Sequence, residues 1–231
     1  MKTKKFCVIG LGYFGSNLSL RLAEEGSEVI AIDNNEDKVN AISDKVTYAV
    51  CMDSTDQRAM RSLGLKDMDA VIVAIGEGFE SSINTIAVLQ ELGVRRILGR
   101  IISPIHERLL KLMNIQELLV PEAEAANHLS SRLMITGLLE VFEISKVYSI
   151  FEIETPKSFA GKAVVDIQLR QKYSLNLVTI KRKKSKRLLA LNPTDEFEVL
   201  GVPTPDLVIM EDDVLVLFGK DKDFLELIGS I

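Results

Sequence analysis

The chain has 231 residues, 47% of them hydrophobic and 26% charged, which is the composition of an ordinary globular protein with room for one large or two small domains. A net charge of −5 disfavours nonspecific nucleic-acid binding, and no stretch approaches the ~20 apolar residues of a membrane-spanning helix. Cys7 and Cys51 fall in expected core strands and read as buried free thiols of a reducing cytoplasm, with no zinc spacing; the basic start Met1-Lys2-Thr3-Lys4-Lys5 precedes an apolar run too short for a signal peptide.

In chain order, a first strand is expected at residues 5–9. It runs into Gly10-Leu11-Gly12-Tyr13-Phe14-Gly15, a G-x-G-x-x-G turn that opens a helix over 14–25. A second strand at 28–32 ends in Asp33, close to the spacing of about 20 residues at which an acidic side chain meets a ribose. Each part has a physical task. Gly10 permits the tight turn, Gly12 lets backbone approach a phosphate, and Gly15 lets the helix lie close on the strand. The helix N-terminus offers unpaired N–H groups and a positive dipole end to an anion. Asp33 is placed to accept hydrogen bonds from ribose hydroxyls.

Further strands are expected at 47–50, 70–75, 96–101 and 117–120, alternating with helices at 36–43, 56–63, 80–92, 104–113 and 121–139. Short apolar strands between amphipathic helices predict an α/β fold, a doubly wound parallel Rossmann sheet of order 3-2-1-4-5-6 covered on both faces. The pattern changes near Ile144. Strands are expected at 148–154, 176–181, 188–191 and 214–218, with helices at 164–173 and 221–228, giving a small α+β unit. The expected domains are therefore 1–143 and 144–231, with helix 121–139 bridging them. A unit of about 85 residues buries a modest share of its surface, so self-association through it is expected. The basic run 181–187 sits between two expected strands and reads as a solvated hairpin, with an anionic ligand or lipid headgroup as the alternative.

Several loops at the carboxyl ends of the strands carry polar groups. Asp53, Ser54 and Thr55 follow the third strand, where they either contact an adenine or cap the next helix. Ala74-Ile75-Gly76 follows the fourth strand, and Gly76 permits close approach to phosphate or ribose. Arg100 ends an apolar strand and needs a partner, either a phosphate or a salt bridge. Glu122 follows Pro121 in a first helical turn, where it serves the helix dipole or, paired across a symmetric interface, holds a hard cation. His106 and His128 lie on separate expected helices and are expected at the surface. A P-loop is absent from the sequence, and so is a convincing acid/base set in the last 85 or so residues.

Taken together, these stretches resemble cytosolic regulators of potassium transport of the Trk/Ktr type, with an N-terminal conductance-regulating (RCK) domain and a C-terminal TrkA-C domain. The resemblance rests on residues 6–15, 29–38, 51–56, 71–76, Val120-Pro121-Glu122, 159–177 and 212–219, and covers essentially the whole chain. It implies a non-enzymatic regulatory subunit, cytoplasmic and peripheral to the membrane, that binds ATP/ADP or NAD(H). It also implies a homo-oligomeric ring, often an octamer, beneath a membrane potassium-translocating subunit of the TrkH/KtrB type, with nucleotide exchange gating the channel. The implied nucleotide site comprises Gly10, Gly12, Tyr13, Phe14, Gly15, Asp33, Asn34, Lys38, Asp53, Ser54, Thr55, Ala74, Ile75, Gly76 and Arg100. Glu122 matches a glutamate associated with divalent cations. In the Ktr branch an arginine often stands where this chain has Tyr13 and reaches phosphate from a neighbouring subunit. In some relatives cyclic di-AMP binds the second domain, at the segment matching residues 164–170, Tyr173 and Asn176. Two other readings of the residues are an NAD-dependent oxidoreductase and a nucleotide or redox sensor with a partner outside transport.

Overall fold

The computed structural model describes residues 3–184 and 197–230. The expected strand at 188–191 and the end of the basic run therefore lie outside the described residues. The chain divides into two compact units, Met1–Ala123 and Glu124–Ile231.

The first unit contains β1 (Lys5–Ile9), α1 (Tyr13–Glu24), β2 (Glu28–Asp33), α2 (Glu36–Asn40), β3 (Tyr48–Cys51), α3 (Gln57–Arg61), β4 (Ala70–Val73), α4 (Phe79–Glu91), β5 (Ile97–Arg100), α5 (Pro104–Leu112) and β6 (Glu117–Leu119). Its strands form one parallel sheet of order β3-β2-β1-β4-β5-β6, as the alternation predicts. Strand alternation divides the core. Cys7, Ile9, Val71 and Val73 face one side with Ile86, Leu89 and Leu110, whereas Val8, Ala70, Ile72 and Ala74 face the other with Phe14, Leu18 and Leu22. All of β4 is buried, so each of its valine and isoleucine side chains contributes roughly 1.5–3 kcal/mol of burial. The sheet order reverses between β1 and β4, where ligand crevices form outside the strand carboxyl ends.

The second unit takes in most of α6 (Pro121–Met134), then β7 (Leu138–Glu143), β8 (Tyr148–Glu154), α7 (Val164–Ile167), α8 (Leu169–Tyr173), β9 (Asn176–Lys183), β10 (Phe197–Val199), β11 (Val214–Lys220) and α9 (Asp221–Ser230). Its strands form an antiparallel sheet of order β10-β9-β11-β8-β7. Phe151 of β8 stacks on Phe224 of α9 with ring centroids 3.8 Å apart, which anchors the closing helix to the sheet. Arg182 makes a two-pronged ion pair with the buried Asp213, through Nε–Oδ1 at 2.8 Å and Nη2–Oδ2 at 2.7 Å. No helix among the described residues is long and apolar enough to cross a membrane.

The structure corrects several expectations. The helix expected over 121–139 stops at Met134, because Gly137 takes a φ of +79° and the following residues pair with β8 as β7. The helix expected over 164–173 is two short ones, broken where Gln168 adopts a φ of +57°. Cys7 is buried, and desolvation raises its thiol pKa, but Cys51 is exposed at the end of the edge strand β3. His106 is not a surface residue: its relative exposure is 0%, because the first turn of α5 turns the ring inward against Phe79, at a centroid distance of 5.3 Å.

Candidate functional site

The turn after β1 is built by its glycines and locked by Asp33. Gly10 has a φ of +94°, a conformation that favours glycine, and a Cβ there would lie 2.9 Å from the Ile75 nitrogen. Gly15 packs α1 onto the turn so closely that a Cβ would sit 1.9 Å from the Gly10 carbonyl oxygen. Gly12 is different. It is the N-cap of α1 in an extended conformation, no side chain caps the helix, and a Cβ would meet nothing within 4 Å. The backbone beside Gly12 is thus open at the end of a helix whose first amides have no intrahelical partner. Tyr13, at 91% exposure, begins the helix at the rim, and Phe14 packs inward against the Val8–Ala74 face.

Asp33 is buried at the end of β2. Its Oδ2 accepts the Leu11 amide at 2.6 Å and its Oδ1 accepts the Asn35 amide at 2.9 Å. Lys38 Nζ stands 3.8 Å from Oδ2, while Asn34 is exposed. Each carboxylate oxygen can accept more than one hydrogen bond, so the pair retains capacity for ribose hydroxyls. Asp33 therefore does what the sequence reading did not assign to it: it fixes the glycine turn through Leu11.

After β3, Asp53 accepts the Thr55 amide at 2.9 Å and the Thr55 hydroxyl at 2.7 Å, and these bonds hold its carboxyl below the usual carboxylate range. The cap of α3 is Asp56, which accepts from the amides of Arg58 and Ala59. Ser54 shares a 2.7 Å hydrogen bond with Thr85, a buried residue of α4 that sequence reading passed over because an apolar helix face masks it.

On the β4 side, Ala74, Ile75 and Gly76 lead away from the sheet, and Arg100 lies across them. Its Nη1 is 2.6 Å from where a Gly76 Cβ would stand, and its guanidinium carbon is 5.7 Å from the centre of the Phe14 ring. Nη2 of Arg100 pairs with Glu122. Both residues, with Gly76, Ser103 and Glu107, line a cavity of about 440 Å³. Ser103 caps α5, accepting the His106 amide at 3.2 Å, so the Ser103-Pro104 pair is the sequence signal that marks this rim. Burial lowers the His106 pKa. Glu122 has no companion ligands within the chain: among the described residues no group of three or more His, Cys, Asp or Glu is placed to hold a metal.

Comparison with known proteins matches residues 6–121 to the TrkA-N domain and residues 148–229 to the TrkA-C domain. The chain is 37% identical over 220 residues to the Ktr system potassium uptake protein C of Bacillus subtilis (strain 168), covering 95% of this chain and 94% of that protein. It is 31% identical over 223 residues to the Ktr system potassium uptake protein A of the same organism, covering 96% and 95%. Among solved structures it is similar to the GsuK channel, with a TM-score of 0.64 at 18% identity over 98% of this chain and 39% of that one. The crystal structure of the GsuK RCK domain aligns with a TM-score of 0.60 at 18% identity over 98% of this chain, which spans 47% of that one. At these identities the structural likeness carries the fold alone.

Proposed function

The chain belongs to the TrkA-N/TrkA-C family of Ktr and Trk potassium-uptake proteins, and from that membership we propose that it is a nucleotide-sensing regulatory subunit that gates a membrane potassium-translocating partner. The observation that carries this reading is the end-to-end match to the Ktr system potassium uptake protein C, which spans both domains rather than the nucleotide fold alone. In this reading the nucleotide is a signal and not a substrate. Its pyrophosphate meets the open backbone at Gly12, its ribose hydroxyls meet Asp33, and Arg100 meets phosphate. Asp33 repels a 2′-phosphate, so the ligand is an adenine nucleotide or NAD(H) and not NADP. Glu122 contributes to a divalent-cation site only together with its counterpart from a second copy, in a homo-oligomeric ring.

The test is reconstitution in potassium-loaded vesicles with the potassium-translocating membrane subunit of the same genome. Flux should depend on this protein and change when nucleotide is added. Flux indifferent to the protein, with and without nucleotide, defeats the proposal. Chromatography of the small molecule released from freshly purified, denatured protein identifies the resident nucleotide.

A further inference from the structure

Arg100 is an incompletely satisfied cation. Its side chain is 16% exposed, its Nε is buried without a hydrogen-bond partner, and Nη1 reaches the Ala74 carbonyl oxygen only at 3.4 Å. Among the described residues its ion-pair partner is Glu122, whose own side chain is 65% exposed. The guanidinium lies over the loop that follows β4, above Gly76 and beside Phe14 of the glycine turn. It therefore lies beside the glycine turn while lining, with Glu122, the cavity described above.

We propose that Glu122 acts as a stand-in anion: its carboxylate holds the guanidinium that the pyrophosphate of a nucleotide engages, and binding exchanges one anion for the other. The inference rests on the nucleotide site proposed above and adds a regulatory contact to it. Two parallel N–H···O bonds from Arg100 suit a phosphate as well as a carboxylate, and the phosphate brings more charge. The pair to be broken has one largely exposed partner, so it is weak enough to be displaced. The released carboxylate stays in the first turn of α6, where the helix dipole favours it. Ligand occupancy is thereby read out as a change of partner at the start of α6. On this view Glu122 opposes nucleotide binding in the absence of a cation.

The experiment is calorimetric titration of the full chain with ADP, and separately with NAD, in buffer containing EDTA. The wild type is compared with Glu122→Gln, Arg100→Gln and the double variant, each checked for a native thermal transition; Arg100→Met replaces Arg100→Gln if the latter is misfolded. Glu122→Gln is expected to bind about 5-fold more tightly, the loss of a partly exposed competing ion pair. In the Arg100-substituted background the same change should shift affinity by less than about 2-fold. The titrant that shows the gain is the pyrophosphate source that Arg100 serves. Unchanged or weaker binding by Glu122→Gln with both titrants overturns the proposal. So does an equal gain in both backgrounds, which would mean general charge repulsion. If the wild type binds neither compound, the nucleotide site itself falls, and this inference with it.

Discussion

Consider the three turn glycines replaced one at a time. Gly12 has φ −66° and ψ −176°, open to any residue, and a Cβ would contact nothing within 4 Å. Gly12→Val therefore changes the stability of the free protein little: the restricted unfolded chain contributes about 0.4–1 kcal/mol, and the exchange of a good N-cap residue for a poor one costs about as much. The same side chain stands where, in the proposed site, phosphate approaches the backbone. Losing two charge-assisted hydrogen bonds of roughly 1.5–3 kcal/mol each weakens nucleotide binding by at least about 100-fold. Gly15→Ala behaves in the opposite way. Its Cβ would lie 1.9 Å from the Gly10 oxygen, a backbone atom that cannot yield without moving α1. The helix-propensity gain of about 1 kcal/mol does not offset an overlap that costs roughly 1–3 kcal/mol or more. Gly10→Ala adds strain at φ +94° to a contact of 2.9 Å with Ile75. Thermal unfolding and calorimetric titration with ADP on the same samples separate these effects. Gly12→Val should melt close to the wild-type temperature and bind poorly, while the other two should melt several degrees lower. If Gly12→Val melts like Gly15→Ala, or binds ADP normally, the assignment of Gly12 as the point of phosphate approach is wrong.

Asp33→Ala should weaken nucleotide binding roughly 10- to 100-fold, because it removes the proposed ribose acceptor and the acceptor of the Leu11 amide together; unchanged affinity, or a preference for NADP, refutes the ribose role. His106 makes folding pH-dependent. Burial lowers its pKa from the ordinary 6.5, so its contribution is complete above pH 6.5 and is lost as the pH falls through the lowered value, since the unfolded chain takes the proton first. The stability of His106→Leu relative to wild type should therefore rise between about pH 6.5 and 5, a window above the ordinary carboxylates, as followed by urea unfolding. In the second unit, Arg182→Met strands the buried Asp213 carboxylate and should lower stability by roughly 3 kcal/mol, and adding Asp213→Asn should restore part of it.

The first unit was legible because its signals are local. An apolar strand, a glycine turn and a second strand ending in an acid each follow from neighbouring residues, and the sheet order follows from the alternation. The end of α6 was not legible, because Ile135, Leu138, Leu139 and Phe142 suit a helical stripe as well as a strand, and only pairing with β8 decides for the strand. Gln168 broke its helix at a position where composition favours none. His106 was misplaced because its burial depends on Phe79 from a different helix. The partner of Arg100 lay within reach of topology: the register Arg100↔Leu119 sets β5 beside β6, and α6 begins two residues beyond Leu119, which carries Glu122 alongside Arg100.

The strength of that one contact bears on how a nucleotide can gate a channel. Moving a two-state equilibrium from 1:99 to 99:1 requires about 5.5 kcal/mol of differential binding. Exchanging a carboxylate for a phosphate on Arg100 supplies on the order of 1 kcal/mol, a change of about fivefold. A lone subunit would therefore shift its shape incompletely. Identical sites in a closed ring contribute additively to one shared equilibrium, so six or so occupied sites of this strength suffice. Isologous contacts made by two different faces of one chain close such a ring. The proposed gating thus requires a steep response: potassium flux plotted against nucleotide concentration should have a Hill coefficient clearly above 1. Glu122→Gln should shift the flux of the ligand-free assembly toward the nucleotide-bound level while flattening the response, because the anion exchange no longer distinguishes the two states. A hyperbolic response in the wild type, with full switching, would mean that the differential energy comes from contacts other than Arg100 and Glu122.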